Sequence, residues 1–162
     1  MTRITAPLLI SLMLATGALA QSSDKIKEIT VDMDITAIVN PAAAERFGTL
    51  ATDLQGAIAA RLVDRIGEEG RKLSVDISEA ELSNSFTEVT GLADTKLVGI
   101  VHVTDLNDNS HFNSYTLTVT VDQARPFFPA DLDEATLTAS SDVFFTALIS
   151  AFADAVAVRI DD

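Results

Sequence analysis

Apolar and polar residues alternate from Ile29 to Val39: Ile29, Val31, Met33, Ile35, Ala37 and Val39 are separated mostly by Thr and Asp. A period of two means one buried and one wetted face, so this segment predicts a strand. Asn40-Pro41 then reads as a helix start, a capping side chain followed by proline at a position where its missing N–H costs nothing. From there to Ile66 the apolar residues Phe47, Leu50, Leu54, Ala57, Ile58, Leu62 and Ile66 recur at steps of three and four, the stripe of an amphipathic helix. Gly67 and Gly70 close it.

The period returns to two at Lys72–Leu82, where Leu73, Val75 and Ile77 alternate with Lys72, Ser74 and Asp76. Residues 83–95 are polar and carry no clear period. Lys96–Thr104 is apolar at both phases, which suits a central strand. A turn over Asp105–Ser110 leads into His111–Asp122, where Tyr115, Leu117, Val119 and Val121 alternate with threonines; the pair reads as a hairpin. Arg125–Thr138 holds Pro126 and Pro129 and is expected to be a loop. Ser140 or Ser141 caps a last helix, whose stripe is Phe144, Ala147, Leu148, Ala151, Phe152, Ala155 and Val156. The predicted order is β-α-β-β-β-α, an α+β two-layer sandwich. A mostly antiparallel four-stranded sheet carries two helices on one face, with the first β-α-β unit as a crossover joining parallel strands.

The first 20 residues obey different physics. Arg3 supplies a positive charge, Ala6–Leu14 is apolar but too short for a bilayer anchor, and Ala18-Leu19-Ala20 places small residues where a signal peptidase reads. Residues 1–20 are therefore expected to be a cleaved signal peptide, with residues 21–162 as a single α+β domain in the periplasm, or secreted, after cleavage near Ala20-Gln21. The chain has no cysteine, which leaves no lipid anchor, no disulfide and no thiolate chemistry. No later run is long and apolar enough for a membrane span. The formal net charge is −13, and loss of residues 1–20 removes one basic residue and no acidic one. Nucleic acid, which needs clustered Lys and Arg, is excluded as a partner.

Candidate chemistry is sparse. Asp105-Leu106-Asn107-Asp108-Asn109 presents closely spaced oxygen donors on a turn, a way to hold a hard cation such as calcium. The string resembles the D-x-N-D-N calcium element of cadherin repeats, down to the strand before it and Phe112 after it. That resemblance implies Asp105, Asn107 and Asp108 as ligands. It covers five residues, and the long helix from Asn40 has no place in the all-β cadherin repeat. Asp and Asn are also the ordinary residues of a hairpin turn. His102 and His111 flank the same turn without the tight spacing of a zinc site.

No G-x-S-x-G elbow and no glycine-rich phosphate loop occurs, and one tyrosine with no tryptophan offers little to line a carbohydrate cleft. Arg125-Pro126-Phe127-Phe128-Pro129 either plugs one end of the core or presents Arg125, Phe127 and Phe128 as a partner surface. The order of elements is similar to that of small accessory domains of bacterial envelope assembly proteins, a likeness of topology alone. The expected function is thus a non-enzymatic periplasmic protein without a cofactor, acting through surface contacts with an envelope protein in assembly or maintenance. The alternatives are a small-ligand-binding periplasmic protein with its cavity between sheet and helices, or a calcium-binding module built on Asp105–Asn109.

Overall fold

The computed structural model describes residues 25–33, 41–77, 96–105, 112–134 and 141–160, with the side chains of the first helix described from residue 48. Strand β1 (Ile26–Met33) is followed by helix α1 (Pro41–Arg61), a 3-10 turn at Val63–Arg65, and β2 (Arg71–Ile77). The strands β3 (Lys96–Asp105) and β4 (Phe112–Thr120) come next. A short helix α2 (Val121–Ala124) runs into a second 3-10 turn at Arg125–Phe127, and α3 (Asp142–Arg159) completes the fold. The expected α+β sandwich is what the chain forms: four strands in the order β1-β2-β3-β4, with β1 parallel to β2 and the other two pairs antiparallel.

Alternation sorts the sheet into two faces. Ile29, Val31, Leu73, Val75, Ile77, Val101, Val103, Leu117 and Val119 turn inward and share one core with Leu50, Leu54, Ile58 and Leu62 of α1 and Phe144, Leu148 and Phe152 of α3. Phe144 and Phe152 are fully buried, and at roughly 25 cal/mol per Å² of apolar area such rings dominate the favourable side of folding. Gly99, on the inward phase of β3, makes room for one of them. A Cβ there would lie 3.1 Å from the Phe152 ring and 2.9 Å from Ile77 Cδ1. In α3 the residues Phe145, Ile149 and Ala153 are buried as well as the predicted stripe, so this helix is enclosed on more than one side. Its cap is Ser141, whose Oγ accepts from the Phe144 N–H at 3.4 Å.

Several boundaries differ from the expectation for identifiable reasons. β1 starts at Ile26 because the ladder is irregular between Ile26 and Glu28. The extra residue resets the phase and lets Ile26 face inward across a position where strict alternation would bury Lys27. α1 ends before Ile66: Leu62 leaves helical geometry at φ −105° and ψ 15°, the chain tightens into the 3-10 turn, and Ile66 is 48% exposed. β2 is described to Ile77 and β1 to Met33; the predicted extensions to Leu82 and Val39 lie outside the described residues.

The larger correction is Val121–Phe127, expected as strand end and loop and found helical. Gln123 Oε1 accepts from the Thr120 backbone N–H at 2.9 Å and from its hydroxyl at 3.2 Å, so a T-x-x-Q box stops the strand and opens the helix. Pro126 then sits in the first turn of the 3-10 segment, where no N–H is needed.

At the opposite end of the sheet one residue gathers the chain. Arg71 donates its backbone N–H to the Lys25 carbonyl at 2.9 Å and its Nη1 to the Ile160 carbonyl at 3.1 Å. Gly70 beside it has φ +138°, and a Cβ there would collide with the Lys25 carbonyl. Only glycine fits that approach without strain.

Candidate functional site

Both long helices pack on the inner face, and among the described residues no helix lies on the outer face of the sheet. Register defines its rows. Glu28, Lys72, Thr104 and Phe112 lie across one row; Thr30, Ser74, His102 and Ser114 across the next; Asp32, Asp76, Ile100 and Thr116 across a third. Val98 and Thr118 are paired one step further along.

The two halves of this face differ in chemistry. The β1–β2 half carries Glu28, Lys72, Asp32 and Asp76, with Lys72 Nζ bonded to Glu28 Oε1 at 2.8 Å. On the β3–β4 half, beyond Lys96 and Thr120 at one end, lie Val98, Ile100, His102, Thr104, Phe112, Ser114, Thr116 and Thr118, none of them Asp, Glu, Lys or Arg. In a chain with 22% charged residues that is a neutral patch. Phe112 is 59% exposed and Ile100 40%, whereas Val98 is buried on this side.

His102 sits at the centre of the patch. Its ring stacks on Phe112, with centroids 5.9 Å apart and planes 26° from parallel. His102 Nδ1 and, two strands away in the same row, Thr30 Oγ1 are enclosed atoms without a hydrogen-bond partner. The imidazole thus lies beside an aromatic ring and shares its strand face with Ile100, one polar ring among largely apolar neighbours. No nucleophile–base–acid arrangement accompanies it among the described residues. His111 lies outside them.

The predicted metal ligands are divided. Asp105 is the last residue of β3, on the inward phase, 5% exposed and directly across the ladder from Arg71. Asn107 and Asp108 lie outside the described residues, and among the described residues no group of three or more His, Asp or Glu is placed to hold a metal.

The Arg125–Phe128 segment is brought onto the end of the core. Phe127 and Phe128 are half-buried against it, Phe128 lies 6.3 Å from Phe144, and Arg61 Cζ stands 5.8 Å over the Phe127 ring. Arg125 is exposed and paired with Asp122 at 3.6 Å and Glu134 at 3.4 Å. Arg61 also reaches Asp154 at 3.5 Å, so it ties α1, α3 and the aromatic segment together. Ile100, Phe112 and His102 were not singled out by the sequence as one surface. The signal was present: from Val98 to Thr104 the even-numbered residues avoid charge, and Phe112 falls in phase with them once the register is known.

No helix among the described residues is long and apolar enough to cross a membrane. No protein-family model matches the chain, and a search of curated proteins finds no match. Among solved structures, the chain is similar to a proposed lipoprotein of Caulobacter crescentus CB15, at 13% identity and a TM-score of 0.45 over 85% of this chain and 88% of that one. It is also similar to a PelC variant solved as a dodecamer from Paraburkholderia phytofirmans, at 13% identity and a TM-score of 0.34 over 81% and 87%.

Proposed function

We propose that this is an exported, non-enzymatic protein of the bacterial periplasm that works by binding an envelope protein through the neutral half of its outer sheet face. The observation that carries the reading is the patch itself: eight uncharged residues on β3 and β4, with Phe112 and Ile100 the exposed anchors, in a strongly acidic chain. Interfaces concentrate their energy in aromatic and aliphatic anchors with few charges at the centre, and this surface has that make-up. Export rests on the order of Arg3, the apolar run Ala6–Leu14 and Ala18-Leu19-Ala20.

The test uses the protein expressed in its full length in a bacterial cell. N-terminal sequencing of the periplasmic fraction should begin near Gln21. A photo-reactive residue placed at Ile100 or Phe112 should give a discrete crosslinked band, while the same group at exposed Asp53 on α1 should not. Equal crosslinking from all three positions, or none from the sheet, would sink the reading. A protein retained in the cytoplasm would remove its first clause.

A further inference from the structure

The two edges of the sheet are not alike. β1 carries Lys27, Glu28 and Asp32 and an irregular ladder, devices that keep an edge strand from pairing with another chain. β4 has none of them. Its nine residues, Phe112 to Thr120, contain no charged residue and no proline, and its ladder to β3 runs without a shift from Thr104↔Phe112 to Lys96↔Thr120. No other described strand pairs with its far side. An edge of that length, straight and neutral, presents a full row of backbone donors and acceptors.

We infer that β4 pairs with β4 of a second copy of this chain, antiparallel about a two-fold axis, joining two four-stranded sheets into one. The strand's own sequence supports this occupant. Centred on Thr116, a two-fold places Phe112 across from Thr120, Ser114 across from Thr118 and Tyr115 across from Leu117 of the second copy. As in any antiparallel ladder, outward residues meet outward and inward meet inward; Asn113 falls across from Val119. Tyr with Leu and hydroxyl with hydroxyl are favourable cross-strand neighbours. Nine paired residues supply about eight backbone hydrogen bonds, two for each alternate pair. Charge points the same way: copies with a net charge of −13, or −13 − 1 = −14 once residues 1–20 are lost, repel through most surfaces, and the neutral strand is where they can approach. The proposal concerns the edge rather than the face, so it does not rest on the partner surface proposed above.

The test is sedimentation equilibrium of the mature protein with two single variants, Thr116→Lys and Thr116→Asp. Wild type should be a dimer at micromolar concentration. Each variant sets like charges opposite one another at the axis and should weaken self-association at least tenfold. An equimolar mixture of the two should recover a dimer, now heteromeric, which shows that neither variant had merely lost its fold. Wild type monomeric at about 100 µM overturns the proposal, including the case in which β4 instead accepts a strand from a different protein. A dimer indifferent to both substitutions, or variants that fail to recover on mixing, overturns it as well.

Discussion

Gly70 and Gly56 make a matched pair whose substitution by alanine should have opposite signs. At Gly70 the backbone has φ +138° and a Cβ would run into the Lys25 carbonyl. Holding alanine in so sparsely populated a conformation costs about 1–3 kcal/mol. The collision falls on the carbonyl that accepts the Arg71 N–H at 2.9 Å, and weakening that bond adds about 1 kcal/mol. Gly70→Ala should therefore destabilise by about 3 kcal/mol. With a urea slope of about 2 kcal/mol per molar for a domain of this size, the midpoint drops by about 1.5 M. Gly56 lies on the exposed side of α1 with nothing within 4 Å of a Cβ. Gly56→Ala gains the helix propensity difference of about 0.8–1 kcal/mol and should raise the midpoint by about 0.4 M. Paired urea titrations followed by far-UV circular dichroism measure both. A Gly70→Ala change under about 0.5 kcal/mol, or a Gly56→Ala that destabilises, would refute the reasoning, because each sign follows from local geometry alone.

Other expectations follow from single contacts. His102→Leu should be neutral or stabilising by up to about 1 kcal/mol in thermal melts, since the enclosed Nδ1 has no partner to lose; a clear drop in stability would mean that the imidazole is satisfied. Arg71→Met should cost about 1.5–3 kcal/mol in the same titration, because it removes the charged donor that holds the Ile160 carbonyl; a change under about 0.5 kcal/mol would mean that this bond does not bind the end of α3 to the sheet. Gln123→Ala removes the acceptor of two Thr120 bonds and should lower stability by about 1 kcal/mol, with hydrogen exchange accelerating first across Val121–Phe127.

The periodicities carried most of this architecture. Alternation located β2 and β4, and the three-and-four stripes located α1 and α3, because burial on one side of a regular element leaves its mark at every turn. Strand order was beyond that signal, since alternation says which way Val75 faces but not that Val101 lies beside it. Asp105 shows a different blind spot. Aspartate before a polar run reads as a turn residue or metal ligand, and only the ladder with β2 reveals that it is inward and opposite Arg71. Val121–Phe127 reads as strand end and loop because Val121 continues the apolar alternation of β4, while the T-x-x-Q cap that ends the strand weighs on a single side chain. The neutral patch is hidden in the sequence for a related reason, as it exists only when two strands are set side by side.

Arg71 also has a mechanical consequence. Its two hydrogen bonds fasten Lys25 and Ile160 to the same corner of the sheet, so a load applied between those residues never runs along the ladders. The few bonds at that corner take the strain one after another, and β1 peels. A load between Lys25 and Thr120, at opposite ends of the two edge strands, would instead stretch three ladders in shear with many bonds resisting together. The same domain should thus be compliant along one axis and stiff along the other.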